Sequence, residues 1–133
     1  MACEDPIGRR LEKIGEEFTV RWLRSEITRR PENADALSEL ANLLTKSGSY
    51  EEGLQVDLRL ASLRPSDPIV HYNLACSYAL LLKFEEALAE LRKAVEFGYD
   101  DGDFISKDGD FRNLHGDPRF QEIVESLGKK PAS

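Results

Sequence analysis

A block of 34 residues occurs twice in this chain, and that recurrence constrains the fold more than any other feature. Leu40, Ala41, Tyr50, Glu51, Glu52, Gly53 and Leu54 return 34 positions later as Leu74, Ala75, Phe84, Glu85, Glu86, Ala87 and Leu88. Pro31 and Pro65 keep the same interval. Self-similarity at a fixed period means one supersecondary unit copied and stacked, because a single copy cannot bury its apolar face alone. The expected fold is all-α, a right-handed solenoid of antiparallel helix pairs. Units of this kind act mainly by presenting a surface.

Each copy has the apolar spacing of two helices. Ala34–Ser47 places Leu37, Leu40, Leu43 and Leu44 at helical intervals, and Ile69–Leu82 does so with Tyr72, Leu74, Tyr78 and Leu81. Tyr50–Leu63 and Phe84–Phe97 follow with Leu54, Leu58, Ala61 and with Leu88, Leu91, Val95. Gly48 suits the left-handed residue that ends a helix. Ser49 with Glu52 reads as a capping box opening the next. Asp67-Pro68 reads as a cap followed by proline at the first helical position. Ala41 and Ala75 are small where helix axes approach closely, with Gly53 and Ala87 opposite them.

At these positions the chain resembles the tetratricopeptide repeat family. The pattern of that family has a small residue one turn into the first helix, an aromatic opening the second, a small residue three further on, and a closing proline. Ala41 and Ala75, Tyr50 and Phe84, Gly53 and Ala87, and Pro65 match it over Ala34–Asp101. Leu37 and His71 stand where the family has a large opening aromatic, and Phe97-Gly98-Tyr99 replaces the second closing proline. The resemblance implies one domain over 1–133. It comprises an N-terminal capping helix or degenerate repeat (7–33), repeats at 34–67 and 68–101, and a C-terminal capping segment and helix (102–128).

Outside the repeats, Leu11–Arg30 carries two apolar stripes. Leu11, Ile14, Phe18 and Trp22 form one, and Val20, Leu23 and Ile27 the other. A face that broad is expected of a helix packed at the end of a solenoid. After the second repeat, Phe104, Ile105, Phe111 and Leu114 are set among aspartates, and Asp117-Pro118 caps a last helix with Phe120, Ile123, Val124 and Leu127. This tail resembles the one that follows the final repeat in many bacterial members, ending in an Asp-Pro-x-Phe helix. It is expected to cover Leu88, Leu91 and Val95. Gly128–Ser133 reads as a frayed end.

Composition excludes several function classes. No run of 18 apolar residues suggests a membrane span, and the start of the chain has Glu4 and Asp5 rather than the apolar core of a secretory signal. Cys3 and Cys76 do not make a disulfide framework, so a cytoplasmic, reducing location is expected. A net charge of −7 argues against nucleic-acid binding. That charge is uneven: Arg9–Arg30 holds seven basic and four acidic residues, Glu85–Glu125 twelve acidic and five basic. The contrast reads as solvated helix faces on an acidic protein, or as a bias towards head-to-tail association.

No catalytic, metal or cofactor site is expected. His71 and Cys76 are five apart, about 140° around a helix, so a Cys–His enzyme pair would need help from elsewhere. Asp101-Gly-Asp103 and Asp108-Gly-Asp110 lack the spaced oxygens and closing Glu of a calcium loop, and read as caps and turns. The family resemblance implies a concave groove lined by the first helix of each pair, where a peptide or a partner's segment lies. Carried over, it assigns Ser38, Glu39, Asn42, Thr45 and Lys46 from the first copy. From the second it assigns Ile69, Tyr72, Asn73, Cys76, Ala79 and Leu80. The asparagines would hold a peptide backbone, and Ile69 and Tyr72 would seat a side chain. On the other reading, the asparagines satisfy local polar groups, and Tyr72, Cys76 and Leu80 pack under the C-terminal segment.

The expected work is therefore that of a protein-interaction adaptor. The alternative is a homo-oligomeric scaffold in which another copy closes the face around Ile69, Tyr72 and Leu80. Some family members grip the acidic tail of chaperones with two asparagines and several cations. Asn42 and Asn73 match that pattern, but Ser38 replaces its first cation and only Lys107 follows.

Overall fold

The computed structural model describes residues 6–128, with side chains from Arg10 to Leu127. Cys3 and the expected frayed end beyond Gly128 lie outside those residues. The chain runs through α1 (Pro6–Arg29), α2 (Ala34–Lys46), α3 (Tyr50–Leu63), α4 (Pro68–Leu80) and α5 (Phe84–Glu96). Then come the short α6 (Gly102–Lys107), a 3-10 turn (Gly109–Leu114) and α7 (Pro118–Gly128). Helices α1 to α5 each pack on the next, as antiparallel pairs of a right-handed solenoid. The 3-10 turn then packs on α4, and α7 on both α6 and α5, closing the end of the stack.

Local chemistry sets most boundaries. Asn33 caps α2 by accepting from the Ala36 N–H at 3.1 Å. Asp67 caps α4 through the Ile69 N–H at 2.9 Å, with Pro68 opening the helix. The expected capping box at α3 does not form. Ser49 makes no side-chain cap bond, and Glu52 instead takes an ion pair from Arg24 of α1. A charged guanidinium reaching across from α1 is a stronger donor to a carboxylate than a neutral backbone N–H.

Helices α2, α4 and α5 end in one motif. The Ser49, Lys83 and Tyr99 N–H groups donate back to Leu44, Tyr78 and Ala94 carbonyls at 2.8, 2.9 and 2.8 Å. Each motif needs a left-handed residue, supplied by Gly48 (φ 88°), Gly98 (φ 118°) and Leu82 (φ 62°). Leu82 is the repeat equivalent of Gly48 and carries the Cβ penalty that glycine avoids. Leu82→Gly should therefore raise stability by about 1 kcal/mol, read as a higher urea midpoint at unchanged slope. An unchanged or lower midpoint would mean that the exposed leucine compensates for its backbone.

The buried side chains form two clusters. One joins Leu23 and Ile27 of α1 to Leu37, Leu40 and Leu44 of α2, with Leu60 and Val70. The other joins Tyr72, Ala75 and Ala79 of α4, Leu88 and Leu91 of α5, and Ile105, Phe111, Leu114, Phe120 and Ile123 of the C-terminal segment. Small residues allow the close approaches, as expected. A Cβ on Gly53 would lie 3.2 Å from Thr45 Oγ1, and Ala75 and Ala87 are fully buried. Leu88 and Leu91 are fully buried in the cluster shared with the C-terminal segment, while Val95 packs against it only half-buried. His71 fills its position by polar means: Nδ1 faces Glu90 Oε2 and Nε2 the Pro65 carbonyl, each at 2.6 Å, and its ring stacks on Phe97.

Helix α1 departs from expectation. Only its second stripe packs. Leu23 and Ile27 are buried, whereas Leu11, Ile14, Phe18 and Trp22 remain 54–64% exposed. The reason is geometric: α2 is 13 residues long against 24 for α1 and covers a single side of it. The other side stays open to solvent. Lys46, at the end of α2, ties the overhang down through Glu16 at 2.8 Å and Glu12 at 3.8 Å.

Candidate functional site

The solenoid curves around a cavity of about 930 Å³. The second half of α2 and most of α4 line one side, and the chain from Gly98 to Asp110 lines the other. Asn42, Asn73 and Leu80 are partly open at its mouth, and Ile69 is 54% exposed. Buried Asp57, Tyr72, Cys76 and Ser77 form its base. A concave, mixed apolar and polar space of this volume is within the range of binding sites.

Tyr72 organises the far wall. Its ring stacks on Tyr99 with centroids 4.5 Å apart and planes 2° from parallel, and it meets Phe104 at 5.9 Å and the edge of Phe111 at 5.6 Å. Its hydroxyl donates to Asp108 Oδ2, while Asp108 Oδ1 accepts from the Asp110 N–H at 3.0 Å. One α4 side chain thus pins the acidic segment against the helix. Burial, together with the bond to Asp108, pushes the Tyr72 phenol up, so it stays a donor.

The cavity is strongly acidic. Asp57, Asp100, Asp101, Asp108 and Asp110 line it, against one cation, Lys46, which is turned towards Glu16. Burial first, then the neighbouring Asp108 charge, raises the Asp110 carboxyl. The Cys76 thiol is pushed well up by burial, then by Asp108 and Asp110. Ligating atoms of Cys76, Asp108 and Asp110 lie within 4.8 Å of one another, close enough for one cation to bridge.

Asp57 is 3% exposed and accepts from the Ser77 hydroxyl at 2.6 Å, tying α3 to α4. Burial raises its carboxyl to about 6 from an ordinary 3.8, against the lowering effect of Ser77. A raised acid binds its proton in the folded state where the unfolded chain has released it. Its contribution to stability therefore falls as pH rises between about 4 and 6, and stays low above. Asp57→Asn should be more stable than the parent at pH 7 by about 1–3 kcal/mol. The difference should vanish near pH 4, as urea unfolding across that range would reveal. A pH-independent difference would mean that the asparagine acts through packing alone.

The residues assigned from the sequence are only partly brought together. Asn42, Thr45, Lys46, Ile69, Tyr72, Asn73, Cys76 and Leu80 line the cavity. Ser38 and Glu39 do not, because the cavity reaches only from Ala41 to Lys46 along α2; Ser38 is half-buried and Glu39 exposed. Tyr72 and Cys76 lie at the base, 5% and 6% exposed beneath the C-terminal segment, and Ala79 is core. Spacing along the chain gives no sign of this cluster, because Cys76 of α4 meets Asp108 and Asp110 only through packing.

Several lining residues escaped the sequence reading. Asp57 and Ser77 had a detectable signal: they stand 34 residues from Leu91 and Leu43, so a polar pair occupies positions that are leucine in the other copy. Asp108, Asp110 and Phe104 had none, since the tail repeats nothing.

No protein-family model matches the chain, and no curated protein matches its sequence. Solved structures do. The crystal structure of MamA is 15% identical with a TM-score of 0.73, covering 95% of this chain and 74% of that one. A structure described as MamA MSR-1 C2 is 16% identical with a TM-score of 0.68, covering 89% of this chain and 70% of that one. At such identities the likeness establishes the fold alone, an all-α solenoid of repeating helix pairs.

Proposed function

We propose that this protein is a non-catalytic adaptor that holds an extended peptide or protein segment in its concave cavity. The observation that carries the reading is the cavity itself: about 930 Å³, open, with an apolar mouth at Ile69 and Leu80 flanked by Asn42 and Asn73. Asparagine amides offer paired donor and acceptor atoms to a backbone laid between them. An enzymatic reading finds less support. The raised Cys76 thiol is a poor nucleophile, and both nitrogens of His71 are engaged by Glu90 and Pro65. No helix among the described residues is long and apolar enough to cross a membrane. The free thiol at Cys76 suits a reducing compartment, and the proposed location is cytoplasmic.

Capture of a binding protein with immobilised wild type, followed by titration of its bound segment, tests this function. Asn73→Ala should weaken binding by about 1–3 kcal/mol while circular dichroism and the thermal midpoint hold steady. If Asn73→Ala unfolds the protein, Asn73 is a satisfying core residue and the groove around it is misassigned.

A second reading has its own observation, the uncovered stripe Leu11, Ile14, Phe18 and Trp22. Four large apolar residues along one helix face form a patch of the kind that protein interfaces bury. Self-association of copies through this face predicts a mass that rises with concentration in light scattering and falls to the monomer in Phe18→Glu. A constant monomer mass would remove it.

A further inference from the structure

The charge of the cavity goes beyond its shape. Asp57, Asp101, Asp108 and Asp110 make no ion pair with a basic side chain among the described residues, and Asp100 adds a fifth acidic group to the lining. The cations nearby are occupied or outside: Lys46 is paired with Glu16 and Glu12, and exposed Arg112 lies outside the lining, acting on Asp110 only as the last and smallest influence. Carboxylates gathered at a partly buried wall repel one another, and a bound positive group relieves that repulsion. The same wall offers the Tyr72–Tyr99 stack and the half-exposed Phe104, surfaces on which an alkyl stem or guanidinium can lie.

We propose that the occupant of the cavity is a cationic segment of a partner protein, with a lysine or arginine seated against Asp108 and Asp110 and an apolar neighbour against Ile69 and Leu80. This rests on the adaptor reading and adds the chemistry of the partner. An acidic tail, such as the chaperone tails weighed above, is disfavoured: Asn42 and Asn73 are in place, but the one cation in the lining, Lys46, is paired with Glu16 and Glu12. Burial and the neighbouring Asp108 charge raise the Asp110 carboxyl, and a seated cation offsets both effects.

Panning a random-peptide phage library on the immobilised protein, with selected peptides then synthesised and titrated by fluorescence anisotropy, decides the matter. Wild type should enrich lysine or arginine beside apolar residues, with affinity falling as salt is added. Asp108→Asn combined with Asp110→Asn should lose about tenfold of that affinity. Asparagine can still accept at the Asp108 cap, and circular dichroism confirms the fold. Selection of neutral or acidic peptides would overturn the charge inference and leave the adaptor reading standing. No enrichment over an Ile69→Asp control would overturn the adaptor reading itself. Stoichiometric zinc or calcium in equilibrium dialysis, lost in the double variant, would assign the carboxylates to a metal ion and overturn the inference.

Discussion

Phe111→Ala lowers stability by about 3–5 kcal/mol in equilibrium urea unfolding. Phe111 is fully buried in the 3-10 turn, between the rings of Tyr72 and Phe120, both with centroids 5.6 Å away. Truncation leaves a void between α4 and α7, and neither can move in without giving up Leu88, Leu91 and Phe120, which pack there too. The loss should also reach the cavity, since Asp108 and Asp110 are carried on the same turn. Amide exchange should show α4 and α5 losing protection first. A loss below about 1 kcal/mol would mean that the tail lies on the solenoid rather than completing its core.

Leu37→Ala has a comparable cost, about 2–5 kcal/mol, in the opposite half. Leu37 is 1% exposed and shares a cluster with Leu23 and Ile27 of α1 and Leu60 of α3. In a stacked array each unit leans mainly on its neighbours. The exchange signature should therefore be the reverse of that of Phe111→Ala, with α1 and α2 opening first. Peptide affinity of the folded fraction should stay near wild type, because the cluster around Leu37 does not line the cavity. An affinity loss matching that of Phe111→Ala would show that the two halves unfold as one unit.

The repeat was legible because stacking imposes its chemistry on sequence at fixed intervals. A small residue is needed wherever two axes approach, and Ala41, Gly53, Ala75 and Ala87 all satisfy that need. Side-chain caps stabilise the first N–H groups of a helix, and Asp67 and Asp117 supply them to α4 and α7. The capping box at Ser49 and Glu52 was misread because the same residues serve two local arrangements, and Arg24, a whole helix away in sequence, decides between them. The fate of α1 was illegible for a related reason. Two apolar stripes announce a broad face but do not say whether a neighbour is long enough to cover it.

The candidate site divides along the same line. By itself the sequence determined the helix pairs and their period, since these follow from side-chain size and spacing within each copy; that α2 and α4 would share a concave side was implied only by the family resemblance. Only the tertiary structure decided what closes that side. Asp108 and Asp110 come from an unrepeated tail, and they meet Tyr72 and Cys76 only because the 3-10 turn packs across α4. Asp57 becomes a cavity carboxylate held near 6 because burial against α4, rather than anything adjacent in the chain, sets its environment. Periodic contacts are written into the chain at each repeat, whereas charges gathered from different elements acquire their meaning from distance and burial, which exist only once the chain has folded.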